Sequence, residues 1–334
     1  MTARRVSVAV ALHNEEAVFP ELLRRVGAVL DGLPGGPHEI VLVDDGSVDR
    51  TFELISEAAS TDRRVVGVRL SRNLGHQAAL TAALERVTGD VVVLMDGDLQ
   101  DRPEEIPRFI AEHERGYDVV YAQRVRRKEA PALRASYFVF YRLMNRLSEI
   151  AVPIDSGDFA LLSRRVVDQL NLLPERHRYL RGLRTWVGFP QIGIPVERDA
   201  RAGGEPSYTV GKLFRLAFDG VFAFSVKPLR VAWLLGAVAS FGASLYAMYV
   251  IFERVFLGES PKGFTALIVA ITFFSGVQLL FLGLIGEYLG RVYDEAKARP
   301  HFIVTEVVRG DRAALASTGD VANTLAAADV TVGA

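Results

Sequence analysis

The sequence predicts an α/β protein, a doubly wound and mostly parallel sheet followed by two membrane-spanning helices. Three observations predict it. Short apolar runs alternate with helix-like segments from residue 1 to about residue 125, the pattern of successive βαβ units. Polar and acidic clusters follow the apolar runs, at the strand ends where such sheets bind ligands. Near the C-terminus, Val231–Phe252 and Phe264–Gly286 carry no charged residue, and each exceeds the roughly 20 residues that a helix needs to cross a bilayer.

Taken in order, Val6–Leu12, Glu39–Val43, Val65–Leu70, Val91–Met95 and Asp118–Ala122 read as buried strands. The first is too short for the apolar core of a secretion signal, and His13-Asn14-Glu15-Glu16 ends it at once. Val18–Leu30, Thr51–Ser60, Gln77–Val87 and Glu104–Arg115 have helical spacing. Pro131–Ile150 reads as an amphipathic helix rich in Tyr, Phe, Leu and Arg. A second, Val210–Phe224, sets Val210, Leu213, Phe214, Ala217, Phe218 and Val221 on one face. Such helices pack on a sheet or lie in the membrane interface; the second runs almost directly into the first span, which favours the interface. The expected domains are therefore residues 1–230, a catalytic domain that includes the helices at 131–150 and 210–224, then a two-helix membrane domain at 231–290 with spans 231–252 and 264–286. Residues 291–334 read as a tail whose end, past about Arg312, has no periodicity and is expected to be disordered.

Net charge is −1, without the basic surplus of a general nucleic-acid binder. There is no cysteine, which excludes disulfides, thiolate metal sites and cysteine nucleophiles. The loop between the spans balances Glu253 and Glu259 against Arg254 and Lys262. The outer flanks carry Lys227 and Arg230 before, and Arg291, Lys297 and Arg299 after. The positive-inside rule then places both termini and the catalytic domain in the cytoplasm, as a multi-pass protein of the cytoplasmic membrane.

The chemistry gathers at the strand ends. In Val91-Val92-Val93-Leu94-Met95-Asp96-Gly97-Asp98-Leu99-Gln100, a strand delivers carboxylates to its C-terminal end, and residues two apart in an extended chain point the same way. Asp96 and Asp98 are thereby placed to share a hard divalent cation with a diphosphate; without a cation or protons, two such close carboxylates repel. The competing reading is a plain Asp-Gly-Asp turn. Val41-Leu42-Val43-Asp44-Asp45-Gly46-Ser47 repeats the form. Helix capping by Ser47 or Asp49 accounts for one residue there but not for paired Asp44 and Asp45, which suit ribose hydroxyls or a base.

These segments together resemble glycosyltransferase family 2, which has the GT-A fold. The resemblance rests on Ala11-Leu12-His13-Asn14-Glu15-Glu16, Val43-Asp44-Asp45-Gly46-Ser47-Val48-Asp49-Arg50-Thr51, Ser71-Arg72-Asn73-Leu74-Gly75-His76 and Asp96-Gly97-Asp98-Leu99-Gln100. Within the family, Ser156-Gly157-Asp158-Phe159, Tyr179-Leu180-Arg181-Gly182-Leu183, Asp219-Gly220-Val221 and Phe224-Ser225-Val226-Lys227-Pro228-Leu229-Arg230 resemble the two-span bacterial polyprenyl-phosphate glycosyltransferases, relatives of dolichol-phosphate-mannose synthase. The resemblance implies nucleotide contacts from Asn14, Glu15, Asp44, Asp45 and Asp96. It also implies Mg²⁺ or Mn²⁺ held by Asp96, Asp98 and Gln100, and a candidate base or orienting carboxylate at Asp158. His13 stands where the family commonly has Tyr, and Pro206 is unusual in its loop.

The expected reaction is inverting transfer of a hexose-type sugar from a nucleotide donor, UDP-linked by resemblance, to undecaprenyl or decaprenyl phosphate, for use in the cell envelope. A phosphate monoester has a second pKa near 6, so the acceptor is already largely a dianion and positioning matters more than a strong base. A dianion beside a diphosphate needs cations. Arg124, ending its strand, and Arg201, in the loop Arg198–Arg201, are candidates for the acceptor phosphate. Arg181 and Arg184, beside Trp186, read as contacts to lipid head groups or to another subunit. Relatives imply a homotetramer. The rival readings are a processive polysaccharide synthase, whose Gln-x-x-Arg-Trp pattern Arg181–Trp186 lacks, and an inactive membrane scaffold.

Overall fold

A computed structural model describes residues 4–124, 156–176, 178–197, 227–252, 255–256 and 263–310. They form two units, one a sheet with its helices and the other a pair of long apolar helices. The helices expected at 131–150 and 210–224 lie outside the described residues.

The first unit is built on β1 (Val6–Leu12), β2 (Glu39–Asp44), β3 (Val65–Leu70), β4 (Val91–Asp96), β5 (Val119–Arg124), β6 (Ser156–Ser163), β7 (Gln191–Val196) and β8 (Val304–Arg309). They lie in the order β7-β5-β6-β4-β1-β2-β3-β8. Strands β4, β1, β2 and β3 are mutually parallel, β7 runs parallel to β5, and β6 and β8 are antiparallel to their neighbours. The sheet is therefore mixed but mostly parallel. The run Val91–Met95 is buried throughout, as a strand covered on both faces must be.

Helices cover both faces. On one, α1 (Phe19–Asp31), α2 (Thr51–Thr61) and α4 (Ile106–Glu114) bury Phe19, Leu22, Ile55, Ile106 and Phe109. On the other, α3 (His76–Leu84), α5 (Arg164–Leu172) and α6 (Leu180–Trp186) bury Ala79, Leu80, Val166, Leu170 and Leu183 against Leu94, Tyr121 and Ala160.

Three strands depart from the sequence reading. Strand β6 opens on Ser156-Gly157-Asp158, polar residues that are nevertheless buried. β7 contains Pro195 and is half-exposed for part of its length. β8 falls in the segment read as a tail, where it pairs with β3 and places Val307 opposite Val68.

The second unit comprises α7 (Lys227–Phe252) and α8 (Phe264–Ala296), two helices long and apolar enough to cross a membrane. Both expose their apolar side chains, Trp233, Phe241, Phe273 and Leu280 among them. A soluble helix would bury such a surface.

Candidate active site

The loops that leave β1, β2 and β3 are knitted together by side chains. Gly46 follows the Asp44-Asp45 pair with φ 64°, and a Cβ there would stand 2.5 Å from the Arg72 carbonyl carbon. Only glycine fits. Asp45 accepts the backbone N–H groups of Leu74 at 2.7 Å and Gly75 at 2.9 Å, one on each carboxylate oxygen. Its carboxylate thus holds the loop entering α3. Asp44 differs. It is wholly buried, its Oδ1 accepts the Ser47 N–H at 3.1 Å, and its Oδ2 has no hydrogen-bond partner among the described residues, with Arg69 Nε 3.7 Å away.

His13 bridges the same loops, its Nδ1 3.0 Å from the Asp45 carbonyl and its Nε2 3.0 Å from the Asn73 amide nitrogen. Those partners assign the ring proton to Nδ1. Asn14, at φ 55°, gives its N–H to Ser47 Oγ and accepts the Val48 N–H on Oδ1, each at 2.9 Å. The Glu15 N–H meets Thr51 Oγ1 at 2.9 Å.

The antiparallel register of β4 and β6 sets Leu94 opposite Ala160. Asp96 and Asp158 stand two residues from that pair, at the same end of the sheet, with carboxylate oxygens within 4.8 Å of each other. His76, at the start of α3, brings Nε2 to 3.0 Å from Asp96 and 3.8 Å from Asp158. Arg181, from α6, closes on Asp158 with Nε–Oδ1 at 2.6 Å and Nη2–Oδ2 at 2.5 Å. This side-on fork is the strong geometry for a guanidinium and a carboxylate. Two helices and two strands, distant in sequence, supply one site.

Burial alone would raise the Asp158 carboxyl, but the Arg181 fork, with the charges of His76 and Arg184, holds it down at about 2. Burial works against a charged His76, yet Asp96 and then Asp158 raise its pKa. Arg181 is likewise raised, its own desolvation outweighed by Asp158.

Gly97 lets the turn after β4 pass against β1: a Cβ there would lie 2.4 Å from Leu12 Cδ2. Asp98 follows, and its Oδ1 accepts the Gln100 backbone N–H at 3.1 Å. Among the described residues, His76, Asp96 and Asp158 form a group whose ligand atoms all lie within 4.8 Å of one another. Within this group Asp96 supplies the carboxylate oxygen that suits Mg²⁺ or Mn²⁺, and Asp98 stands two residues from it in sequence. Arg124 closes β5, with its side chain outside the described residues, where Arg201 also lies. Sequence reasoning gave His76 no role and sent Arg181 elsewhere. The motif Ser71–His76 contained the first, but only α3 reveals which carboxylates it meets.

A model described as glycosyl transferase family 2 matches residues 7–170, and one described as the GtrB C-terminal hairpin matches residues 227–292. The chain is similar to an uncharacterized glycosyltransferase, YkcC, of Bacillus subtilis, 42% identical over 89% of this chain and 92% of that one. It is 36% identical to a prophage bactoprenol glucosyl transferase homolog of Escherichia coli, over 91% of this chain and 99% of that one. With the bactoprenol glucosyl transferase of Shigella phage SfX the identity is 36%, over 90% and 98% of the two chains. Among solved structures, glucosyl-3-phosphoglycerate synthase from Mycobacterium tuberculosis, in complex with Mn²⁺, UDP and glucosyl-3-phosphoglycerate, aligns with TM-score 0.43 and 19% identity, over 66% of this chain and 78% of that one.

Proposed function

Since the chain belongs to glycosyltransferase family 2, we propose that it transfers a hexose-type sugar from a nucleoside diphosphate onto a polyprenyl phosphate. Support comes from relatives named for bactoprenol glucosyl transfer, which match over nine-tenths of this chain, hairpin included. Glucose is the sugar those names favour, UDP the nucleotide that the resemblance implies, and undecaprenyl phosphate the first acceptor to test. The observation that carries the reading is the convergence of Asp96, Asp158, His76 and Arg181 at the C-terminal end of β4, where an α/β sheet places its ligands.

In this reading Asp44, whose Oδ2 makes no hydrogen bond among the described residues, faces the nucleoside, while Asp45 and Asn14 fix the loops around it and Glu15 lines the same edge. Asp96 and Asp98, with Gln100, would hold a divalent cation, whose positive charge would stabilise the leaving diphosphate as it becomes more negative. Asp158, fixed by Arg181, orients the acceptor side rather than taking a proton, since a carboxyl near 2 is a poor base at neutral pH. The acceptor needs none, being already a dianion. Arg124 and Arg201 are the expected contacts to its phosphate. Direct displacement inverts the anomeric centre. The protein acts as a multi-pass protein of the cytoplasmic membrane, as an oligomer, with its sheet on the cytoplasmic side.

The test is transfer from radiolabelled UDP-glucose to undecaprenyl phosphate by the purified protein, with UDP-galactose and the N-acetylhexosamine donors in parallel. Lipid-linked product is expected with Mg²⁺ or Mn²⁺, and its loss in EDTA. Undiminished transfer in EDTA would remove the metal from the scheme, and no product from any donor would remove the function.

A further inference from the structure

Arg184 is a buried cation with two N–H groups that meet no acceptor among the described residues. It sits on α6 one turn beyond Arg181 and is 3% exposed. Its guanidinium lies 4.9 Å from the centroid of the Tyr121 ring on β5. Nε and Nη2 are buried and have no hydrogen-bond partner among the described residues. Burial pushes its pKa down to about 10, so it remains charged at neutral pH. Asp158 is the acidic group near enough to favour that charge, yet both Asp158 oxygens are already taken by Arg181. An aromatic face offsets part of the cost of burying a guanidinium but supplies no acceptor for its N–H groups. Leaving a charged donor buried and unmatched is among the costlier things a fold does, and such violations concentrate where a ligand completes the site.

The unmatched atoms have a definite geometry. Nε and Nη2 are the same pair with which Arg181 grips Asp158, the side-on fork that fits two oxygens of a carboxylate or phosphate. Spaced one helical turn apart, Arg181 has its fork filled by Asp158, and the fork of Arg184 is unfilled among the described residues. We propose that Arg184 is a phosphoryl-binding residue, donating Nε–H and Nη2–H to two oxygens of a substrate phosphate. The identity of that substrate rests on the transfer reading above, which offers two sources of the same chemistry: the donor diphosphate and the lipid phosphate monoester.

The experiment reads binding, so it does not depend on turnover. Full-length wild type, Arg184→Met and Arg184→Lys in detergent are melted alone, with UDP and Mg²⁺, and with undecaprenyl phosphate, and dissociation constants are taken from the ligand-induced shifts. If the fork awaits a phosphate, Arg184→Met melts no lower than wild type without ligand, because an unmatched charge has been removed. It also binds one of the two probes about tenfold to a hundredfold more weakly, as expected for a lost charge-assisted contact, and Arg184→Lys recovers part of the loss. A deficit with UDP assigns the donor diphosphate; a deficit with undecaprenyl phosphate assigns the acceptor. Wild-type affinity of Arg184→Met for both probes would overturn the proposal, because Arg184 would then be a structural cation resting on Tyr121. Should Arg184→Met fail to fold, Arg184→Gln decides by the same affinities. If wild type binds UDP but not undecaprenyl phosphate, the transfer reading fails, and the Arg184 assignment is judged on the UDP arm alone.

Discussion

A carboxylate as deeply buried as Asp158 stays ionised because Arg181 closes on it with two hydrogen bonds, and the pair has to be understood as one object. Removing one partner of such a pair leaves the other charge buried and unmatched, which costs about 3–5 kcal/mol. Arg181→Ala is therefore expected to lower the thermal midpoint sharply, and the double variant Arg181→Met with Asp158→Leu to recover most of the loss. A double variant as unstable as the single one would mean that the pair is not the source of the effect. The pH dependence has a fixed sign. The folded carboxyl titrates at about 2 against an ordinary 3.8, so its stabilisation is complete above about pH 4, is lost as pH falls toward 2, and is constant through neutrality. For the same reason Asp158→Asn is expected to keep the wild-type pH–rate limbs between pH 6 and 9, on a lower plateau. If an acidic limb present in wild type disappears, Asp158 is a base after all. Asp98→Asn should act differently, cutting turnover by at least about a hundredfold, as loss of a transition-state charge stabiliser does, with little change in melting. Near-normal transfer by Asp98→Asn would remove Asp98 from the metal.

Elements set those residues side by side, and the edge formed by β3 and β8 shows how closely they are fitted. A Cβ on Gly67 of β3 would fall 2.4 Å from Ile55 Cγ2 on α2 and 2.5 Å from Val308 Cγ2 on β8. Both neighbours are β-branched and stiff. Gly67→Ala is thus expected to destabilise by about 1–3 kcal/mol, the usual cost of overpacking, and pairing it with Val308→Ala should return part of that. Equal melting of Gly67→Ala and wild type would show that β8 does not pack there. Much of this architecture was legible in the sequence. The runs that became β1 to β4 are apolar, short and closed by His, Asp or Ser, and β1 has the predicted bounds Val6–Leu12. The other strands were hidden for physical reasons. β6 begins with buried polar residues, β7 carries a proline, and β8 is half-exposed and follows a long apolar helix, so that tertiary pairing alone makes it a strand. The same limit applies to the site. Asp44, Asp96 and Asp98 announce themselves at strand ends, whereas the contacts of His76 and Arg181 depend on where α3 and α6 come to rest.

For the whole molecule, the constraint is that β7 precedes and β8 follows the two apolar helices, yet both belong to one sheet. The pair α7 and α8 must then leave and re-enter on the same side of any membrane it crosses. At about 1.5 Å per residue, the 33 residues of α8 extend well beyond a hydrocarbon core about 30 Å thick. The excess lies at its C-terminal end, where Glu287, Arg291, Asp294 and Glu295 follow the uncharged run and Arg291 bonds Glu287 at 3.0 Å. Which side that end occupies is a question of charge. Lys227, Arg230, Arg291, Lys297 and Arg299 flank the pair, while the connection between the helices balances two acids with two bases, so the flanks are expected in the cytoplasm. The absence of native cysteine makes this directly measurable. In intact cells treated with a membrane-impermeant maleimide, Ser260→Cys should react and Ser317→Cys should react only after lysis. Labelling of Ser317→Cys before lysis would place the sheet outside the cell, away from cytosolic nucleotide sugars, and the proposed donor would have to be abandoned along with the orientation.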